Sequence, residues 1–424
     1  MNPYLIIIIA ILAARYLTEL ITDVLNIRNL TETLPTEFQG WYDADKYKTS
    51  QNYLRENTRF NTVGDSFHAL IALVFLLAGG FNVIDQMARS FERGPIPTGL
   101  IFTGILVLAL NILNLPFSIY HTFVIEEKYG FNKTTPTTFI MDIVKSIMLT
   151  ILIGGIALAA ILWFFEKTGD RAWMFCWLAV VLFQVFLLFI APYVIMPLFN
   201  KFVPLDNGDL RTAIEGYARS QQFKMKGVFK MDGSKRSSKT NAFFTGFGKS
   251  RRIVLFDTLI EKHTIPELVS IVGHEMGHYK KQHILQAIMR SIITTGFMFF
   301  LLSLFIRNRQ LFDAFRMEHL SIYASLFFFG FLYTPIAMVI SIIENVISRK
   351  QEYEADAYAV ETCHNAESMI TGLKKLSVVN LSNLTPHPVK VFFDYSHPPV
   401  LQRIQVMQGM QSYRAEASAK AEAP

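Results

Sequence analysis

Cysteine and charged residues are both scarce in this sequence. It has 2 cysteines in 424 residues. Charged residues make up 17% of the chain, compared with about 25% in a typical soluble domain. A disulfide framework is therefore excluded, and we expect no bridge between Cys176 in an apolar run and Cys363 in a polar segment. The low charge content also excludes an intrinsically disordered chain.

Apolar residues are abundant instead, and they are clustered along the chain. Hydrophobic residues make up 51% of the sequence, and 37 residues are phenylalanine. Seven stretches are nearly free of charge and long enough to cross a bilayer as helices. Because no basic residues precede the first stretch, we expect an uncleaved span there rather than a signal peptide. The predicted spans are Tyr4–Leu25, Phe67–Ile84, Gly99–Tyr120, Phe139–Phe165, Ala172–Met196, Ile284–Ile306 and Ile322–Ile347.

The net charge of +6 does not indicate a nucleic-acid partner. Membrane proteins collect Lys and Arg in their cytoplasmic loops, so we expect a basic chain and no nucleic acid. The first loop, residues 26–64, is the most informative for orientation, and it contains Arg28, Lys46, Lys48, Arg55 and Arg59. This bias predicts an outside N-terminus, with loops one, three and five and the C-terminal segment in the cytoplasm.

Two segments outside the spans are polar enough to form a soluble unit. The first contains a helical pattern at Leu210–Gln222, apolar runs typical of strands at Gly227–Met231 and Asn241–Asp257, and a helical pattern from about Ile265. Two glycines, Gly246 and Gly248, predict a turn within the second run. The predicted division of the chain is 1–199 with spans one to five, 200–282, 283–347 with spans six and seven, 348–410, and a flexible tail, 411–424.

The strongest motif is His274-Glu275-Met276-Gly277-His278, which has the pattern H-E-x-x-H. On a helix the two histidines lie on one face, where their imidazoles can bind one Zn²⁺. The intervening Glu275 then lies close enough to take a proton from a water molecule at the metal. The alternative is a pair of surface histidines on an amphipathic helix, so a third ligand is needed to decide.

Glu352 is the candidate third ligand, in a segment that follows the seventh span. Asp356 lies four residues further on, hence on the same helix face, where it can accept a hydrogen bond from a ligand histidine. The alternative is a solvated acidic face. Topology favours a metal site, because His278 precedes the sixth span and Glu352 follows the seventh. Antiparallel spans place both at the same membrane face.

These motifs resemble those of the type I CAAX prenyl protease family, the sterile-24 membrane zinc endopeptidases. The residues that carry the resemblance are His274–His278, Glu352–Ala357, Ser396–Pro399, Glu126–Thr134 and Asn241–Phe243. The resemblance implies an all-α polytopic membrane protein, with seven helices around a hollow, water-filled barrel. It also implies a small α+β zinc-protease unit of the gluzincin type at the cytoplasmic face. Arg15, Glu19, Asp65, Asn111 and Asn114 would suit a wet interior, although hydrogen bonding between helices explains them equally well.

The resemblance also implies roles for particular residues. One Zn²⁺ per chain is expected on His274, His278 and Glu352, with Glu275 as general base. Asp356 is expected to orient a ligand histidine or to donate a proton, and His397 to stabilise the oxyanion or the bound substrate backbone. The residues expected to hold substrate, by addition of a β-strand and by contacts to its backbone, are Asn241, Ala242, Phe243 and Arg403.

The expected partners are the lipid bilayer and a peptide or protein substrate, prenylated or not, which is cleaved inside a membrane-embedded chamber. The sequence favours a bacterial inner membrane, where clearance of damaged membrane proteins is the expected task, and the endoplasmic reticulum for a eukaryotic source. Another zinc protease, the single-chain heat-shock membrane protease, usually has fewer spans. An alternative of another class is a seven-span transporter or receptor with a structural or vestigial metal. Structural zinc normally has four protein ligands, whereas this sequence offers three and a base.

Overall fold

Helices form most of the chain in the computed structural model, which describes residues 2–246 and 251–421, with side chains described through Tyr413. The strands are β1 (Phe202–Pro204), β2 (Gly227–Met231), β3 (Ala242–Thr245) and β4 (Arg252–Phe256). The helices are α1 (Pro3–Arg28), α2 (Ala44–Leu77), α3 (Gly80–Arg89), α4 (Pro95–Glu126), α5 (Pro136–Lys167), α6 (Gly169–Phe199), α7 (Asp209–Ser220), α8 (Asp257–Lys262), α9 (Ile265–Lys280), α10 (His283–Phe305), α11 (Arg309–Ala314), α12 (Ile322–Cys363), α13 (Ala366–Val379), α14 (Pro388–Asp394) and α15 (Val400–Ala421).

Seven of the described helices are long and apolar enough to cross a membrane, namely α1, α2, α4, α5, α6, α10 and α12. The predicted multi-pass architecture is therefore confirmed. Two of these helices are much longer than a bilayer requires, because α2 has 34 residues and α12 has 42. At 1.5 Å per residue they measure about 51 and 63 Å, whereas the hydrocarbon core is about 30 Å thick. Both helices continue beyond the membrane as part of the soluble unit.

The predicted second span, Phe67–Ile84, extends past the end of its helix, and the helix itself begins well before Phe67. The helix begins at Ala44, where the Asp43 side chain accepts a hydrogen bond from the Lys46 backbone N–H at 2.7 Å. It ends at Leu77, because Gly79 adopts a left-handed conformation with φ of 75° and turns the chain into α3. Hydropathy detects only the part of a helix that is apolar, so it missed the polar first half of α2.

The membrane-spanning helices pack loosely. Within their most apolar windows, 6% to 22% of the residues are buried, and none is buried in the first part of α5, Pro136–Leu149. The amides of Asn111 and Asn114 donate to carbonyl groups of their own helix at 2.8 Å, so these hydrogen bonds do not join neighbouring helices. Arg15 and Glu19 form an ion pair and line a cavity of about 350 Å³ between α1 and α12. Loose packing and a polar inner wall are expected for helices that enclose open space.

One end of the barrel is closed by an aromatic core. The buried rings include Phe81 of α3, Phe312 of α11, Phe315 directly after α11, and Phe328 of α12. The rings of Phe315 and Phe328 stack with centroids 3.8 Å apart. The buried core fixes the beginning of α12, whose other end reaches the opposite side of the barrel.

The soluble unit at that opposite side contains a four-stranded sheet with the order β1-β2-β4-β3. Strands β2 and β4 are parallel, whereas β1 and β3 pair antiparallel to their neighbours. The predicted strands are confirmed, and Gly246 has the positive φ of 85° expected at a turn, while Gly248 lies outside the described residues. Helix α15 continues through residues 411–421, where the sequence predicts a flexible tail. Cys176 and Cys363 are unpaired, as expected.

Candidate active site

The H-E-x-x-H motif lies in the second half of α9, which packs along α12. The helix begins where the Glu267 carboxylate accepts a hydrogen bond from the Thr264 backbone N–H at 2.8 Å. Gly277, inside the motif, allows the two helices to approach closely, because a Cβ atom there would lie 2.9 Å from Cα of Ala355. The close approach brings the face that carries the two histidines against the face of α12 that carries Glu352.

Three candidate ligands converge at this contact. One atom from each of His274, His278 and Glu352 lies within 4.8 Å of the other two. Nε2 of His278 is 3.2 Å from Nε2 of His274 and 3.2 Å from Oε1 of Glu352. Nε2 of His274 is 3.4 Å from Oε2 of Glu352. Two nitrogens and one carboxylate form the donor set of a catalytic zinc site with an open position.

Asp356 and Arg403 hold His274, the first candidate ligand, in position. Nδ1 of His274 is 2.9 Å from Oδ1 of the fully buried Asp356. The guanidinium of Arg403 donates to both oxygens of Asp356, at 2.8 and 2.6 Å. A carboxylate that accepts a hydrogen bond from a protonated Nδ1 leaves the Nε2 lone pair free to face a metal.

A positive charge is favoured at the centre of the site. Burial lowers the pKa of His274, but hydrogen bonds to Asp356 and Glu352 outweigh it and raise the pKa to about 9. Oε2 of Glu352 is buried and makes no hydrogen bond among the described residues, although Nε2 of His274 and Nη1 of Arg403 each lie 3.4 Å from it. A divalent metal would satisfy this oxygen and both Nε2 atoms together, so the residues present fit a metal ion.

His278, the second candidate ligand, is held by His283 and Glu354, a pair that the sequence did not predict. Nδ1 of His278 is 3.0 Å from Nδ1 of His283, and Nε2 of His283 is 3.0 Å from a Glu354 carboxylate oxygen. Because the carboxylate can only accept, Nε2 of His283 donates and its Nδ1 accepts from His278. Nε2 of His278 is then unprotonated and faces the site. No helical spacing links the two histidines, since α9 ends at Lys280 and Gln282 has a φ of 60°.

Replacement of His283 by leucine should weaken metal binding by roughly 10- to 100-fold, the usual effect of losing a partner of a ligand histidine. An asparagine at this position can still accept from His278, so its effect should be smaller. Competition between the protein and a zinc chelator measures both. The matched control is His263→Leu, which removes another buried histidine, bonded to the Leu259 carbonyl. Unchanged affinity in His283→Leu would contradict the positioning role.

A cavity of about 380 Å³ opens in front of the ligands. Glu275 lies on its wall beside them, and burial raises the pKa of its carboxyl group. A carboxylate with a raised pKa in such a place is a stronger base than one in water. The other polar or predicted substrate-binding residues on the wall are His274, His278, Glu352, His397, Arg403, Asn241, Ala242 and Phe243.

His397 and Arg403 occupy different positions in this cavity. The His397 side chain is 65% exposed, and its Nε2 lies 3.4 Å from Oε1 of Glu352. Its other nitrogen is 3.0 Å from the Ser396 hydroxyl oxygen. Arg403, in contrast, is 8% exposed, and the negative charge of Asp356 outweighs burial and raises the pKa of its guanidinium. His397 is therefore free to touch a substrate, while the hydrogen bonds of Arg403 are directed to Asp356.

The predicted substrate strand lies at the edge of the sheet, with its first residues on the cavity wall. The Phe256 N–H donates to the Asn241 carbonyl at 3.1 Å. Because hydrogen-bonded pairs alternate in an antiparallel ladder, the backbone groups of Ala242 and Phe244 face away from β4. The Asn241 side chain accepts a hydrogen bond from the Ala242 N–H at 2.8 Å. The other outward-facing backbone groups of this strand can pair with an extended peptide.

The loop-three motif Glu126–Thr134 forms hydrogen bonds with the segment that leads into β3. The Lys239 ammonium donates to the Glu126 carboxylate at 2.8 Å. The Ser238 N–H donates to the Phe131 carbonyl at 3.0 Å. This motif therefore joins the membrane region to the substrate strand.

A membrane barrel with an H-E-x-x-H helix and a downstream glutamate at one end is the architecture of a membrane metalloprotease. Comparison with known proteins agrees. Residues 23–201 match the profile described as CAAX prenyl protease N-terminal, five membrane helices, and residues 204–411 match that of peptidase family M48. The chain belongs to the CAAX prenyl protease 1 family of M48 peptidases and is an integral-membrane metalloprotease.

Relatives resemble the chain over nearly its whole length. CAAX prenyl protease 1 of Saccharomyces cerevisiae is 33% identical over 435 residues, which cover 96% of this chain and 95% of that protein. The CAAX prenyl protease 1 homolog of Homo sapiens is 30% identical, with 91% of each chain covered. The crystal structure of S. mikatae Ste24p matches with a TM-score of 0.91 at 32% identity, covering 96% of this chain and 99% of that chain. This agreement supports the hollow seven-helix barrel and gives no support to a transporter.

Proposed function

We propose that this chain is a zinc endopeptidase that cleaves prenylated CAAX proteins inside its membrane chamber. The observation that carries the proposal is the convergence of His274, His278 and Glu352 on a cavity beside the edge strand β3. The names of its relatives, CAAX prenyl protease 1, support this class of substrate.

His274, His278 and Glu352 would hold the metal, which we propose to be zinc from the two nitrogens and one carboxylate. When bound, zinc supplies a Lewis acid that polarises the scissile carbonyl and lowers the pKa of water. Asp356 keeps His274 in the required tautomer. The hydrogen bond between His278 and His283, which is itself bonded to Glu354, does the same for His278.

Glu275 is the general base in this proposal. Its carboxylate takes a proton from the attacking water and later delivers it to the leaving nitrogen. The position of Glu275 on the cavity wall next to the ligands supports both transfers. The exposed Nε2 of His397 can donate a hydrogen bond to the negative charge that develops on the carbonyl oxygen.

The substrate backbone would pair with β3. The carbonyl of Ala242 and both backbone groups of Phe244 face away from β4 and can bond an extended peptide. The Asn241 side chain, at the entrance to this strand, would shift its bond from the Ala242 N–H to the substrate. Binding through the backbone demands little of the substrate sequence.

The soluble unit is proposed to face the cytoplasm. The basic first loop packs against this unit, since Tyr42 and Tyr47 share a buried core with Met369 of α13, and positively charged loops favour the cytoplasmic side. The bacterial inner membrane and the endoplasmic reticulum stay open predictions, as do the absence of a nucleic-acid partner and the division at residues 199, 282, 347 and 410.

A pair of peptides tests the function. Both have the same CAAX sequence, and one is prenylated on its cysteine. We expect the full-length protein, reconstituted in lipid with zinc, to cleave the prenylated peptide with the higher kcat/KM, and mass spectrometry identifies the bond. Equal cleavage of both would indicate a general membrane-protein protease, and no cleavage of any peptide by the zinc-loaded protein would contradict the proposal.

A further inference from the structure

A basic groove lies on the outer surface of the molecule, away from the active site. It has a volume of about 760 Å³ and is formed by α2, α4 and the beginning of loop three. Arg55 and Arg59 of α2 and Lys128 of loop three supply its positive charges, and Phe60 and Tyr120 contribute aromatic rings. The two rings stack with centroids 5.1 Å apart.

The groove lies where the apolar face of α2 ends. Val63, Leu70 and Val74 are 62%, 59% and 54% exposed and follow one another on one helix face. The same face continues to Arg59 and then Arg55, about 6 and 12 Å beyond Val63 at 1.5 Å per residue. An exposed apolar face contacts lipid chains, and the polar headgroup region begins where that face ends. The arginines are therefore at the depth of phosphate groups.

The two arginine charges of this groove are not compensated by the protein, whereas Lys128 forms an ion pair with Glu56. Among the described residues, neither Arg55 nor Arg59 has a hydrogen-bond or ion-pair partner. Like charges one helical turn apart repel each other, and arginine cannot lose its charge. The nearby Glu56 is already bonded to the Lys128 ammonium and the Tyr129 hydroxyl, both at 2.7 Å. An anion between the two guanidinium groups would remove the repulsion.

We propose that this groove binds the phosphate headgroup of an anionic phospholipid. Arg55 and Arg59 bind the phosphate oxygens, as planar guanidinium groups do, and the acyl chains follow the apolar face from Val63 to Val74. The two unpaired arginines favour a negatively charged ligand. Their position at the end of the apolar face favours a lipid headgroup over a soluble anion. The bound headgroup lies next to the loop-three motif, so it also steadies the contact between the membrane region and the substrate strand.

Lipid counting on the full-length protein tests this site. The wild type and an Arg55→Gln/Arg59→Gln variant are reconstituted in phosphatidylcholine with increasing phosphatidylglycerol, and retained lipids are counted by native mass spectrometry. Each basic residue near an anionic surface contributes about a fivefold increase in affinity, so the variant should bind phosphatidylglycerol about 30-fold more weakly. The matched control, Arg93→Gln/Arg309→Gln, removes two arginines at the opposite end of the barrel and should leave binding unchanged. The variant Arg55→Lys/Arg59→Lys keeps both positive charges and should retain most of the phosphatidylglycerol binding.

Three results would overturn the proposal. The first is equal phosphatidylglycerol binding by the wild type and the glutamine variant. The second is an equal loss of binding in the control variant, which would indicate an effect of net charge alone. The third is displacement of the lipid by inorganic phosphate or an acidic peptide at similar concentration, which would assign the groove to a free anion or to a protein partner.

Discussion

Glu275→Gln should abolish peptide hydrolysis while the protein keeps its metal. The amide has the shape of the carboxylate but cannot take a proton from water, and Glu275 is not among the three converging ligands. Loss of a positioned general base lowers kcat by about 10²- to 10⁴-fold. The measurement is kcat/KM on the prenylated peptide, with zinc determined by elemental analysis of the same sample.

The control for this variant is Glu261→Gln, which makes the same chemical change on the exposed surface of α8. It should leave both activity and zinc content unchanged. Substantial hydrolysis by Glu275→Gln would remove this residue from the role of base. Loss of zinc in Glu275→Gln would show instead that the glutamate supports the metal.

Glu352→Ala should remove the metal as well as the activity. The variant loses both carboxylate oxygens, Oε1 at 3.2 Å from Nε2 of His278 and Oε2 at 3.4 Å from Nε2 of His274, and two histidines alone bind zinc weakly. We expect about one zinc per chain in the wild type and much less in the variant, since each deprotonated protein ligand contributes to the affinity of the site for the metal. Elemental analysis after dialysis against a weak chelator measures the difference.

Glu367→Ala is the matched control, because Glu367 is exposed in the first turn of α13 and lies outside the cavity. Full zinc content in Glu352→Ala would contradict its place as third ligand. The metal would then need a different third ligand, and Glu354 and Asp356 are the nearest carboxylates on the same helix. Together, the Glu275 and Glu352 variants separate loss of proton transfer from loss of the metal.

Topology made the convergence of the three candidate ligands predictable from the sequence. The H-E-x-x-H spacing predicts one helix face, and the antiparallel sixth and seventh spans bring Glu352 to it across 74 residues from His278. The strands were predictable because alternating apolar residues and glycine turns are local signals. The spans were predictable because a lipid environment requires long apolar helices.

The remaining features depend on tertiary contacts that leave no local pattern. His283 follows a break in the helix at Gln282, so its bond to His278 could not be predicted from helical spacing. Arg403 lies 47 residues after Asp356, and only the packing of α15 on α12 brings the two together. The polar half of α2 escaped detection because a helix that leaves the membrane has no apolar signature.

The unbroken helix α12 has a mechanical consequence. It begins in the aromatic core at the closed end and carries Glu352 at the other, with Pro335 between them. From Pro335 to Glu352 the helix forms a lever arm of about 25 Å, so a bend of about 5° at the proline would displace the glutamate by about 2 Å. Metal sites tolerate roughly a tenth of that displacement. Because spanning helices tilt or kink to match bilayer thickness, we expect the position of Glu352, and with it the geometry of the candidate metal site, to depend on the thickness of the host membrane.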